Sequence, residues 1–149
     1  MTTVHESITI NATREQIRPF FFDPDHVRAR ETTIYHLRQD PDWPAVGTQV
    51  ELGFKTFLMN VDAVSTSLAY DPQTLCHEYQ MVSATGPAHW LYTFDEQDGK
   101  TTVALKIDYT LPGSWLGQAV DRLLVERMNR QQVINSLAAL KQQVEAAVA

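Results

Sequence analysis

The sequence predicts an α+β domain in which a curved antiparallel sheet of seven strands folds around one long C-terminal helix, with two short helices after the first strand. Three observations predict it. From Ser114 to about Val148 the chain has no proline and a single glycine, Gly117. A helix over that span is on the order of 50 Å long, about three times the mean of a globular domain. Between residues 31 and 110, β-branched and aromatic runs alternate with short turn signals, which is the pattern of a meander. No linker, repeat or low-complexity segment divides the 149 residues, so a single domain over 1–149 is expected.

In order along the chain, residues 4–10 are rich in β-branched types and read as a first strand. Thr13-Arg14-Glu15-Gln16 is a capping box that starts a helix from 14 to about 22. Pro19 sits too far inside that helix to be harmless, so the helix is short or kinked. Asp23-Pro24 restarts it, with Asp23 as cap and Pro24 at the first helical position. Strands are then expected over 32–38, 47–54, 57–70, 75–82, 89–94 and 102–109. The turns between them are carried by Asp40-Pro41, Asp71-Pro72, Gly86-Pro87 and Asp98-Gly99. On the last strand Val103, Leu105, Ile107 and Tyr109 face one way and polar residues the other, so one side of the sheet is wet.

Composition narrows the function classes. A formal net charge of -6 with no Lys/Arg cluster argues against nucleic acid or an anionic membrane surface as partner. Cys76 is the single cysteine, which excludes an internal disulfide and a cysteine-based zinc site. No apolar run approaches the ~20 residues that span a bilayer. The first six residues lack a basic region followed by an apolar run, so a cytoplasmic location is expected. The five histidines show no zinc-ligand spacing, and no Gly-rich phosphate loop or partnered nucleophile is visible. No metal and no cofactor are expected.

The candidate site follows from hairpin geometry. If Trp90, Tyr92 and Phe94 share a face with Val103, Leu105 and Ile107, then Phe94 pairs with Val103 and Tyr92 with Leu105. The preceding turn sets Tyr79 opposite Trp90 and His77 opposite Tyr92. His77, Tyr79, Trp90, Tyr92 and Tyr109 then cluster on the inner face, about 5 Å from one cross-strand neighbour to the next. His89 falls on the other face. Trp43, between two prolines, reads as an exposed loop residue at one end of the sheet, which either forms a lid or packs its own loop down. On the long helix, Leu116, Val120, Leu123, Leu124, Arg127, Gln131 and Ile134 fall within one stripe, which then drifts toward Leu137, Leu140, Val144 and Val148. Arg127 and Gln131 are thus expected to point inward. An inward Arg127 must find a partner. It pairs with Asp62, or anchors a polar group of a ligand, or snorkels its head to the cavity mouth.

The order of elements also resembles a known family. The resemblance lies in the Thr13-Arg14-Glu15 helix start, Gly47-Thr48 opening a strand, Tyr70-Asp71-Pro72, Trp90-Leu91-Tyr92-Thr93-Phe94, and the Asp98-Gly99 turn. It continues in Asp108-Tyr109-Thr110-Leu111-Pro112 and in Leu137-Ala138-Ala139-Leu140-Lys141 of the last helix. Together they are similar to the START-like (SRPBCC) superfamily with its helix-grip fold, within the polyketide cyclase/dehydrase and lipid-transport group. The resemblance covers essentially the whole chain and implies a deep, largely apolar cavity between sheet and long helix. It implies a hydrophobic small molecule as ligand, with Arg127, Gln131 and the aromatic cluster as candidate contacts. A cyclase-type enzyme using the same cavity, with Arg127 polarising a carbonyl and His77, Tyr79 or Tyr92 moving a proton, is the alternative. So is a regulatory partner-binding module with a filled core. The resemblance carries over no catalytic motif.

Overall fold

The computed structural model describes residues 1–56, 59–110 and 122–149. The elements are β1 (Thr2–Ile10), α1 (Arg14–Phe21), α2 (Pro24–Arg30), β2 (Ile34–Gln39), β3 (Gln49–Thr56) and β4 (Met59–Tyr70). They continue with β5 (His77–Ser83), β6 (Gly86–Gln97), β7 (Lys100–Tyr109) and α3 (Arg122–Val148). The seven strands form one sheet in the order β1-β7-β6-β5-β4-β3-β2, every neighbouring pair antiparallel. This is the helix-grip arrangement: a curved sheet closed by the terminal helix. The expected beginning of that helix at Ser114, with Leu116 and Val120, lies outside the described residues, as do Phe57 and Leu58.

Local chemistry explains the two short helices. Thr13 Oγ1 accepts from the backbone N–H of Gln16, and the Gln16 side chain accepts from that of Thr13, completing the capping box. Asp23 accepts from the N–H of His26 and Pro24 occupies the first turn of α2. Pro19 lies inside α1, whose eight residues end soon after it.

The strands differ from the sequence expectation mainly at their ends. β5 begins at His77 rather than Leu75, because Leu75 takes a left-handed backbone (φ 63°). There its N–H donates to the carbonyl of Asp71 while its side chain is fully buried. The β6–β7 hairpin turns on Asp98 and Gly99, both at positive φ, as a two-residue loop with the twist of the strands requires.

Two apolar clusters hold the fold. The larger joins Ile10, Ile17, Leu75, Val103, Leu105, Leu137, Leu140 and Val144, all 2% exposed or less, and so fastens α1 and α3 to β1 and β7. The smaller joins Leu37, Val50, Leu52 and Ala63 at the other end of the sheet. Between them the sheet and α3 do not fully meet. That gap is the site.

Candidate functional site

A cavity of about 290 Å³ lies between the clusters, lined by residues of all seven strands, of both short helices and of α3. This volume is at the lower edge of pockets that hold a drug-sized molecule. Its floor is built by register. Tyr79 pairs with Trp90, and Trp90 with Ile107; His77 pairs with Tyr92, and Tyr92 with Leu105. The side-chain period of two sends all of these to one face. The Tyr79 ring stacks on Trp90 at 5.5 Å and 17°, and lies 5.1 Å from His77. Trp43 closes the row, edge-on to His77 at 5.0 Å and to Tyr79 at 5.7 Å. The loop of Trp43 is thus packed down by its own aromatic. His77, Tyr79, Trp90, Tyr92 and Tyr109 all line the cavity.

The charged centre of the cavity is Arg30 and Glu31, at the end of α2. Arg30 donates from its two terminal nitrogens to the carbonyls of Phe20 and Phe21, 2.8 Å each, and its guanidinium lies over the Phe21 ring at 5.4 Å. These are the last carbonyls of α1, which a helix otherwise leaves unpaired. Glu31 accepts from the Ser136 hydroxyl of α3. Burial pushes the Glu31 carboxyl up, against the opposing effect of the Ser136 bond and of Arg30. Burial likewise pulls the Arg30 guanidinium down, but an arginine stays charged at any ordinary pH. Burial, with the nearby Glu31 carboxylate acting in the same direction, pushes the Tyr92 and Tyr79 hydroxyls well above the ordinary phenol value.

His77 is 1% exposed. Its Nε2 lies 3.1 Å from Ser67 Oγ, and that hydroxyl donates its proton to the Pro44 carbonyl at 2.7 Å. Ser67 must therefore accept from His77, which assigns the proton to Nε2 and leaves Nδ1 as the lone-pair nitrogen. Burial holds the imidazole down to about 4, so the ring is neutral near pH 7.

The indole N–H of Trp90 and the hydroxyl of Tyr109 are buried and have no hydrogen-bond partner among the described residues. An unsatisfied buried donor costs roughly 1–3 kcal/mol. Tyr109→Phe is therefore expected to hold or raise the melting temperature of the unliganded protein, where loss of a bonded hydroxyl lowers it.

Two expected contacts are placed elsewhere. Arg127 and Gln131 are exposed and do not face the cavity between sheet and helix. Gln131 donates to Asn135 along its own helix. The buried positions of α3 are Val125, Val133, Ser136, Leu137, Leu140 and Val144, while Leu123, Leu124, Met128 and Ile134 are exposed. The expected stripe is out of phase by about half a turn in the first half of the helix. The physical reason is the cavity itself. Where α3 passes over it, the inward residues include Asn129, Gln132 and Ser136, so apolar spacing does not mark the inner face. The proposed Arg127–Asp62 pair is also absent: Asp62 is on the outer face of the sheet and accepts from the Tyr35 hydroxyl at 3.1 Å. Arg130, further along α3, meets Glu6 of β1 at 3.2 Å.

A family model described as polyketide cyclase/dehydrase and lipid transport matches residues 1–145. The chain belongs to this family. Solved structures share its fold at low identity. The Zhui aromatase/cyclase from a Streptomyces superposes with a TM-score of 0.83 at 14% identity, covering 99% of this chain and 96% of that one. A Thermus thermophilus protein gives 0.80 at 18%, covering 99% and 100%. A START superfamily protein from Mycobacterium smegmatis gives 0.75 at 12%, covering 97% and 98%. No curated protein matches the sequence.

For this member of the cyclase/dehydrase and lipid-transport family, the inner-face aromatics were readable from sequence, whereas Arg30, Glu31, Ser67 and Ser136 were not. Arg30 and Glu31 end a seven-residue helix with no buried residue of its own, so no periodicity points them inward. The one available signal is two adjacent opposite charges between a helix and an apolar strand. Among the described residues no group of three or more His, Cys, Asp or Glu comes together as a metal site, and no helix is long and apolar enough to cross a membrane.

Proposed function

We propose that this protein binds a hydrophobic small molecule in the cavity between its sheet and α3. The ligand lays its apolar body on the Tyr79–Trp90 shelf and turns a polar group toward Arg30 and Glu31. The observation that carries this reading is the cavity itself: an aromatic floor with a single charged couple at one side. Membership of a family described by polyketide cyclisation and lipid transport supports the same class of ligand. The cavity also speaks against a filled-core regulatory module.

Protonation favours binding over turnover. A general acid or base works best with a pKa near the operating pH. His77 is held down to about 4, and Tyr79 and Tyr92 are pushed up, so each is moved away from neutrality. Glu31 alone moves toward it, and it is engaged by Ser136. Native mass spectrometry of freshly purified protein tests the reading. A 1:1 adduct whose released component partitions into organic solvent is the expected result. Adducts confined to buffer ions and water speak against it.

A further inference from the structure

The Arg30–Glu31 couple is shared by two hollows. One is the apolar cavity above. The other, about 320 Å³, lies between α3 and the residues that join α2 to β2. Arg30, Glu31, Thr33, Asn129, Gln132 and Ser136 border both, so the two spaces meet at this wall. Their chemistry differs sharply. The second hollow adds Lys55, Thr32, Gln131 and Asn135, and Met128 is its one apolar lining residue among those described. Lys55 is set beside it by the bond from its backbone N–H to the Thr33 carbonyl, 2.9 Å. Gln132 donates to Thr33 Oγ1 at 3.0 Å and ties α3 to the same rim.

The charges decide what the hollow prefers. Among the described lining residues, Arg30 and Lys55 against Glu31 leave one positive charge in excess, in a chain whose formal net charge is -6. Arg30 uses two of its five N–H donors on carbonyls, and the amide and hydroxyl side chains around it supply more. Such a rim suits an anion with several acceptor oxygens. We propose that this hollow is the head-group site of the cavity, and that the ligand is an amphiphile with a carboxylate or similar anionic head. Its head sits among Arg30, Lys55 and the α3 amides, and its apolar body passes the Glu31–Ser136 contact into the cavity. This rests on the binding function proposed above and gives that ligand its chemical class.

The test compares decanoate with 1-decanol, which share a chain and differ in the charge of the head. Affinities are measured by calorimetry at pH 8 for the wild type and for Lys55→Gln, whose exposed position makes a folding defect easy to exclude by circular dichroism. The wild type is expected to prefer decanoate by about tenfold, and Lys55→Gln to reduce that preference at least threefold. Raising the salt from 50 to 500 mM should erode it as well. A wild type that binds both alike, or a preference that Lys55→Gln leaves intact, overturns the head-group site while the cavity reading stands. Binding of neither compound overturns both.

Discussion

Replacing Arg30 by Met lowers the stability of the unliganded protein by about 1.5–3 kcal/mol, the loss expected when hydrogen bonds from a half-buried charged group are removed. Two effects add. The carbonyls of Phe20 and Phe21 lose their donors at the end of α1, and the half-buried Glu31 carboxylate loses the favourable field of the guanidinium. Methionine fills much of the volume, so packing loss is a minor part. Urea unfolding of the single variant measures the total. Adding Glu31→Gln to the Met variant should return part of the loss, because it removes the stranded charge. A loss below about 1 kcal/mol, within the range of surface ion pairs, would show that water replaces the guanidinium and that Arg30 is not structural.

His77 makes stability fall as the solution is acidified from pH 6.5 toward pH 4. The sign follows from proton counting. The unfolded chain binds a proton at His77 below about 6.5, while the folded ring resists it until about 4. Between those values the unfolded state holds more protons, so the contribution is complete above pH 6.5 and is lost as pH falls. At about 1.4 kcal/mol per unit the ceiling is about 3 kcal/mol. Glu31 acts in the opposite sense: its raised carboxyl takes up a proton in the folded state first, so stability gains as pH falls through that raised value. The rings and hydroxyl around His77, those of Trp43, Phe22, Tyr70, Tyr79 and Ser67, carry no charge in this range. The difference between the pH profiles of wild type and His77→Gln therefore isolates the imidazole. Parallel profiles from pH 7 to 4.5 would mean that the ring titrates normally in the fold.

The strands and the floor of the cavity were legible because a meander leaves little freedom. Once the Asp98-Gly99 turn is placed, pairing of Tyr92 with Leu105 and of Tyr79 with Trp90 follows from counting, and the structure has both pairs. The last turns of α3 were legible for the same reason, since Leu137, Leu140 and Val144 face a filled core. The first half of α3 was not. Periodicity reports the side of a helix that meets apolar packing, and here the helix meets a cavity with a polar rim. Leu123 and Leu124 outweighed Asn129 and Gln132 in the pattern and turned the expected face outward, taking Arg127 and Gln131 with it. The inward arginine exists, but it is Arg30, on an element too short for any pattern to report. Ser67 was hidden for a different reason: a small hydroxyl on an alternating strand looks the same whether it faces solvent or orients a buried imidazole.

Whether the space between sheet and α3 receives a ligand is decided by titrating 8-anilinonaphthalene-1-sulfonate, an apolar aromatic anion, into wild type and into Ala88→Phe. Ala88 lines the cavity beside the aromatic floor, so phenylalanine there occupies the space the dye needs. The wild type is expected to give a saturable, blue-shifted emission with one dye per chain. In a folded Ala88→Phe protein, affinity should fall at least tenfold. Equal emission from both proteins, or emission that rises without saturating, would place the dye on the surface and rule out a ligand in this space.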